Sequence, residues 1–347
     1  MGKEILLLLV MFWNVENFFD PFLNSVAENP MPVIDSSKTE IVYKDKSFTP
    51  RSEKFWNWKK FAQKRDDIAK TITLVNEQYG IFPALIGLCE IENRFVLDQL
   101  VESTLLSRLD YGIIHKDSPD KRGIDAALLY RKKEFKPLQS KFYPVELEQE
   151  ILQSRYIVYV KGVFNTLDTL HCFVVHWPSK LGGENISITR RMAASDCLKR
   201  VTDSIIRTNN MANIIVMGDF NDDAESEALC NLNKLVNMTQ KEFYGIKKNR
   251  IMRTPQEWFT YKYKAEWERI DHFLVSENLF EENNPDRSLK WLFCTPLSSK
   301  VFCHEFLLEK DANYLGYKIR RTLKGPRYNG GVSDHLPIVL SIFGYNL

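Results

Sequence analysis

The sequence predicts an α/β (α+β) protein of packed sheets with helices on their outer faces. Three observations carry that expectation. Short runs rich in β-branched and aliphatic residues recur along the 347 residues, as in strands covered on both faces. Only a few stretches space apolar residues at helical intervals. A composition 44% hydrophobic and 12% aromatic supplies a substantial core. No repeat, low-complexity segment or Gly/Ser/Pro linker divides the chain, so one domain over 1–347 is expected.

The elements follow in order. Ile5 to Trp13 is the first strand. MGKEILLLLVMFW resembles the core of a signal peptide, but it runs into NVENFFD without a small-residue cleavage site and is too short to span a bilayer. No cleavable leader is therefore expected, and the compartment stays open: cytoplasmic, or exported after removal of a leader. Glu53 to Gln78 sets Trp58, Phe61, Ile68, Ile72 and Val75 at helical spacing. Ala84–Glu90 is a strand, Arg94–Leu106 a second helix, and Tyr111–His115, Ile124–Tyr130, Tyr156–Phe164 and Thr169–Val175 are further strands. Ser187–Thr208 is a helix with Ile188, Met192, Leu198, Val201 and Ile205 on one side. Asn213–Gly218 is an apolar strand, and 224–235 a short fourth helix. WFTYKY at 258–263 alternates and, with EWERIDHFLV, reads as a hairpin. Leu336–Ile342 is the last strand. The stretches 20–50 and 280–332 read as long surface loops, often functional at this length.

Lys+Arg 47 against Asp+Glu 45 gives a net charge of +2, so bulk charge does not imply nucleic-acid affinity. The six cysteines form no CxxC pair, and Cys89 and Cys172 sit in strand-like runs as reduced, buried thiols.

Several strand ends share a pattern in which an apolar run meets ionisable or amide residues. The first strand leads to Asn14-Val15-Glu16-Asn17, ALIGLC to Glu90-Ile91-Glu92-Asn93, CFVV to His176-Trp177-Pro178-Ser179-Lys180, and IIVMG to Asp219-Phe220-Asn221. Asp271-His272 opens FLV, and Ser333-Asp334-His335 precedes LPIVL. Polar residues end many strands simply because strands end at the surface. Six such ends rich in Asp, Glu, Asn and His point further. Carboxylates and amides without thiolates suit a hard divalent cation, Mg²⁺ or Mn²⁺. Histidine beside carboxylate suits acid–base work. Asp219 and Asn221, two apart on an extended segment, point to one side, whereas His272 faces away from Asp271.

In order along nearly the whole chain, WNVEN (13–17), LCEIEN (88–93), RGIDAALLY (122–130), HWPSK (176–180), GDFND (218–222), RIDHFLVS (269–276) and SDHLPIV (333–339) resemble the endonuclease/exonuclease/phosphatase superfamily, the deoxyribonuclease I-like fold, in a bacterial branch. The resemblance implies a four-layered α/β/β/α sandwich with its site at one edge. Carried over by position, it implies Glu90 as principal metal ligand with Glu16 or Asp334 assisting, and Asn14 near the metal as a substrate-binding residue that, with Asn221, stabilises added negative charge. Asp219 and Asn221 contact nucleophile and phosphate, and Asp271 pairs with His335. The base is either that dyad or Asp219. His176 either stabilises added charge or protonates the leaving oxygen. Arg122 and Lys180 are candidate substrate-binding residues, and the basic stretches KKNRIMR (247–253) and YKIRRTLKGPR (317–327) could meet a polyanion. The hairpin aromatics would either stack on a base or pack on the sheet.

The implied activity is metal-dependent hydrolysis of phosphodiester bonds, with a nuclease on DNA or RNA as the leading reading. The substrate would be a phosphoester, with no stable membrane insertion and no obligate protein partner. One rival is a phosphatase or phosphodiesterase acting on a phosphoinositide, sphingomyelin or nucleotide. A remote rival is an inactive, binding-only member. It is weakened because Glu90, Asp219, Asn221, Asp271, Asp334 and His335 are all present.

Overall fold

The computed structural model describes residues 5–22, 48–164, 168–180, 183–239, 258–280, 292–314 and 316–345. The stretch 247–253, most of 20–50 and Met1 to Glu4 lie outside the described residues.

Two sheets dominate. The first has seven strands: Leu292–Phe293 and Ser299–Val301 both pair with Ile338–Tyr345, followed by Ile5–Phe18, Leu85–Ile91, Asp125–Arg131 and Tyr111–His115. The second has six, in the order Leu235–Asn237, Asp271–Ser276, Asn213–Asp219, Asp168–His176, Ile157–Phe164 and Phe135–Tyr143. Each sheet carries one parallel pair at its centre. Ile5–Phe18 runs parallel to Leu85–Ile91, and Asn213–Asp219 runs parallel to Asp168–His176. The carboxyl ends of these four strands deliver Asn14, Glu90, Asp219 and His176 to one edge. Their antiparallel partners start there: Asp271 pairs with Asp219, and His335 lies just before the strand that pairs with Ile5–Phe18.

The sheets face each other through an apolar core that includes Phe12, Leu88, Val174, Met217 and Phe273, all buried. They approach closely because Gly87 has no side chain. A Cβ there would lie 2.7 Å from Met217 Sδ. Helix α1 (Trp58–Tyr79) and helix α2 (Arg94–Glu102) cover the outer face of the first sheet with Phe61, Ile68, Ile72, Val96, Leu97 and Leu100. Asn57 caps α1 by accepting from Lys60 N, and left-handed Gly80 ends it. Helix α3 (Glu184–Thr208) covers the second sheet with Ala194, Cys197 and Leu198, against Phe173, Val175, Ile214 and Val216. The result is the four-layered α/β/β/α sandwich. All six cysteines are free thiols.

Some boundaries differ from expectation. The first strand runs past Trp13 to Phe18. The second helix stops at Glu102, and a 3₁₀ turn follows at Leu105–Leu109. The fourth helix, expected over 224–235, shrinks to α4 (Glu227–Cys230), because the segment turns and pairs as strand Leu235–Asn237. Of 258–263, only Tyr261–Tyr263 is a strand, paired with Glu266–Glu268. The 280–332 stretch contains small hairpins, Leu308–Lys310 with Tyr317–Ile319 and Leu323–Lys324 with Arg327–Tyr328.

Gly218 is a second close approach. A Cβ there would collide with the Val175 side chain and its carbonyl oxygen. A main-chain atom of a central strand cannot yield as a side chain can, so Gly218→Ala should destabilise the protein by about 1–3 kcal/mol. Urea denaturation followed by circular dichroism reads this. Unchanged stability would contradict the packing account.

Candidate active site

The site is built where strand backbones break their regular geometry. Glu16 (φ 49°), Asn17 (φ 52°), Glu90 (φ 64°) and Asn221 (φ 52°) all have left-handed backbones. The pairing of Ile5–Phe18 with Leu85–Ile91 shifts register between Asn14 and Phe18. That of Leu85–Ile91 with Asp125–Arg131 shifts between Cys89 and Ile91. Such bulges re-aim side chains at a sheet end. Left-handed non-glycine residues cost energy and persist where surrounding contacts hold them. Here Glu90 Oε2 accepts from Asn17 N at 2.8 Å, joining the two bulges. Asn221 N donates to Asp219 Oδ1 at 2.9 Å, and its Nδ2 donates to Trp177 O at 3.0 Å.

Asp219 is the hub. Its Oδ2 accepts from Asn14 Nδ2 at 3.0 Å and lies 3.5 Å from His176 Nε2 and 3.8 Å from His335 Nε2. His335 Nδ1 bonds Asp271 Oδ2 at 2.9 Å. All four charged or imidazole groups are buried. Segment 333–335 is clamped: Ser333 Oγ donates to Asn14 O at 2.6 Å, and Trp13 Nε1 donates to His335 O at 2.9 Å. Tyr261 bridges His335 through the backbone, and its ring lies 5.0 Å from the imidazole, centroid to centroid. Thr260 Oγ1 accepts from the Ile270 and Asp271 amides.

Burial pushes the Asp219 carboxyl up to about 7, against the pull of His335. Burial works to discharge His335, but Asp271 and then Asp219 outweigh it and lift the imidazole to about 10. His176 falls well below the ordinary range through burial and the Arg155, Arg122 and His335 charges. At neutral pH the site therefore holds one imidazolium and one neutral imidazole. His176 Nδ1 and Asp271 Oδ1 are buried without a hydrogen-bond partner among the described residues, leaving polar capacity for an incoming group.

Arg122 does reach the site. Its Nη2 donates to Asn17 Oδ1 at 2.9 Å and lies 3.5 Å from Glu90 Oε1. Exposed Lys180 instead pairs with Glu268 at 3.5 Å. The ligand set expected from sequence divides. Glu16 Oε1 accepts from Arg321 Nε at 3.1 Å, and Glu16 Oε2 accepts from Thr322 N at 2.7 Å. Asp334 Oδ2 accepts from Arg321 Nη2 at 2.8 Å. Among the described residues, Glu90, Glu16 and Asp334 do not form a cluster with ligand atoms all within 4.8 Å. Asp219, Asp271 and His335 do, and that cluster could hold a metal ion.

Other expectations resolve locally. His272 faces away from the site, bonding Thr239 Oγ1 at 2.5 Å and Asp222 O at 2.9 Å. Asp222 is structural, paired with Arg191 Nε at 2.8 Å. Glu92 and Asn93 of LCEIEN are structural too. Glu92 accepts from Asp20 N, and Asn93 caps α2. Sequence reading missed Arg155, which is buried and bonds Asp120 at 3.1 Å and Trp177 O at 3.0 Å beside His176. It also missed Lys64, a buried cation on α1 that donates to Val332 O at 2.6 Å and to Thr322 Oγ1. Nothing in their local sequence marks either one. Arg321 lay within a basic stretch but carried no signal of its own.

Facing sheets thus gather carboxylates, amides and two histidines at one edge. Residues 9–343 match the Endonuclease/Exonuclease/phosphatase family, and the chain belongs to it. Members of this family are phosphoester hydrolases that typically use divalent metals. No curated protein sequence is significantly similar to the chain. Among solved structures, an endonuclease/exonuclease/phosphatase family protein from Bacteroides thetaiotaomicron is similar at TM-score 0.55 and 15% identity, covering 98% of this chain and 99% of that one. The human Nocturnin catalytic domain with bound sulfate anion is similar at TM-score 0.53 and 15% identity, covering 99% and 98%. Truncated Caenorhabditis elegans TDP2 is similar at TM-score 0.53 and 16% identity, covering 97% and 98%. At these identities the likeness establishes the fold. No helix among the described residues is long and apolar enough to cross a membrane.

Proposed function

We propose that the chain is a divalent-metal-dependent phosphoesterase that hydrolyses phosphodiester bonds in DNA or RNA. One observation carries this reading: Asp219 Oδ2 sits within 4 Å of an amide, a neutral imidazole and an imidazolium at the mouth of the sheets. That is one base surrounded by groups able to stabilise negative charge.

The oxygen-rich donor set fits a hard cation. Glu90 would hold Mg²⁺ or Mn²⁺, because its bulged backbone turns the carboxylate to the rim while Asn17 N fixes one oxygen. A cation bound there supplies charge neutralisation on a phosphoryl oxygen. Asp219 accepts a proton from the attacking water, held in place by Asn14 and the Asn221 amide. The water oxygen bonds phosphorus, the opposite P–O ester bond breaks, and the departing oxygen takes a proton from solvent. His335, kept charged by Asp271, donates to a phosphoryl oxygen as charge develops. His176, being neutral, donates a hydrogen bond and not a proton. Arg122 binds a neighbouring phosphate.

The test is turnover of bis-p-nitrophenyl phosphate and nicking of supercoiled plasmid in Mg²⁺, Mn²⁺ or EDTA, beside Glu90→Gln. Metal-dependent nicking that Glu90→Gln loses is expected. Ester turnover without nicking would move the substrate to a lipid or nucleotide phosphoester. Silence on both substrates would overturn the proposal.

A further inference from the structure

Glu16 and Asp334 hold a resident cation of the protein's own. Arg321 Nη2 lies 3.0 Å from Glu16 Oε1 and 2.8 Å from Asp334 Oδ2, so one guanidinium nitrogen bridges two carboxylates. Arg321 Nε adds a second bond to Glu16 at 3.1 Å, and the other Glu16 oxygen takes the Thr322 amide. The planar guanidinium suits this fork, which a point charge would not satisfy.

The corner already holds positive charge. Glu16 and Asp334 share the Arg321 guanidinium, and Lys64 is a second, buried cation. The Lys64 ammonium lies within Coulomb range of Glu16, Asp334 and Glu90. A divalent ion added between Glu16 and Asp334 would have to displace the guanidinium or sit against it.

The segment that delivers Arg321 is fastened to the fold. Val332 N donates to Arg320 O at 3.1 Å, Asn329 N to Thr322 O at 2.9 Å, and Arg320 N to Leu307 O at 2.8 Å. Asn329 Nδ2 donates to Arg321 O at 3.0 Å. Gly331 packs so closely on the Arg320 and Arg321 carbonyls that a Cβ could not fit. From beneath, Lys64 ties Thr322 and Val332 together. The Arg321 backbone is thus fixed where its side chain reaches both carboxylates.

We infer that Arg321 replaces a second metal ion: the site takes one divalent cation, at Glu90, while the Arg321 guanidinium supplies the positive charge of the Glu16–Asp334 corner. This rests on the proposed function only in placing the one ion at Glu90. The role expected from sequence, with Glu16 and Asp334 as metal ligands, passes to a side chain.

The experiment is Mn²⁺ binding stoichiometry on the full chain, by calorimetry and by electron paramagnetic resonance of free Mn²⁺. The variants are Glu90→Gln, Arg321→Lys and Arg321→Met. The expected counts are one ion for the wild type and for Arg321→Lys, and two for Arg321→Met, with spin-coupled Mn²⁺ in the last. Glu90→Gln should weaken the single wild-type ion at least tenfold. Two ions in the wild type, or one in a folded Arg321→Met, would overturn the inference and leave the phosphoesterase reading standing. Failure of the wild type to bind any ion would overturn the placement at Glu90 and the inference with it. Manganese anomalous scattering from wild-type crystals decides the matter even if Arg321→Met does not fold. A peak at Glu90 alone supports the inference, and a peak bridging Glu16 and Asp334 overturns it.

Discussion

Asp219→Asn should lower kcat for phosphodiester hydrolysis by about 10²- to 10⁴-fold, the range for loss of a positioned base. Asparagine can still bond Asn14 and receive the Asn221 amide, so the fold should survive. In the proposed mechanism, substrate binding runs through Arg122 and a cation at Glu90 and does not pass through Asp219. KM should therefore change less than kcat, the signature of an interaction made mainly in the transition state. The wild-type rate should depend on pH in the direction the Asp219 environment sets. Its carboxyl is raised to about 7, with burial as the main cause. A base must be ionised, so activity rises as pH increases through that value. A cation at Glu90 favours the carboxylate and moves this limb lower, so the limb should shift with the metal loaded. In Asp219→Asn the limb should disappear. A pH–rate profile of each enzyme, in metal titrated to saturation, reads all of these effects.

Asp271→Asn should cost a comparable factor, about 10²- to 10⁴-fold in kcat, although Asp271 need not touch substrate. Its Oδ2 holds His335 Nδ1 at 2.9 Å and fixes which nitrogen faces Asp219. Burial alone would discharge His335, and Asp271 is the largest of the influences that lift it to about 10. The proposed mechanism needs the imidazolium charged, so wild-type activity should fall as pH rises through about 10. Without the Asp271 carboxylate, that alkaline limb should move to lower pH. A merely structural role for Asp271 would lower activity without moving the limb. Monitoring the His335 ring by NMR across the same pH range gives an independent check, with titration at lower pH in the variant.

The strands of the two parallel pairs were legible because they are buried on both faces and read as continuous apolar runs. Strand Phe135–Tyr143 was not. It is an edge strand whose Lys136, Gln139, Ser140 and Lys141 lack a buried alternation, and Pro137 sits within it. Local sequence also placed Asn14, Glu90, His176, Asp219, Asp271 and His335 at strand ends; parallel pairing gathers the first four at one edge, and antiparallel partners start there with Asp271 and His335. It could not give the state of Glu16, whose partner Arg321 lies 305 residues away. Nor could it give Arg155 or Lys64, because a buried cation is defined by what encloses it. Lys180 followed His176 in sequence, yet it pairs with Glu268 of the Tyr261–Glu268 hairpin. Neighbours on a chain leaving a strand diverge within a few residues.

Of the hairpin aromatics, Tyr261 packs on His335 and Trp267 lies near Phe259, while Tyr263 is exposed. Sheet packing and support of the site thus account for the first two.

The most direct measurement of the central claim is steady-state turnover of bis-p-nitrophenyl phosphate by wild type and Asp219→Asn, side by side in saturating Mg²⁺ at pH 8, with EDTA controls. EDTA-sensitive turnover by the wild type and a kcat lower by about 10²-fold or more in the variant are expected. Equal rates for the two proteins, or wild-type turnover indifferent to EDTA, would contradict the claim.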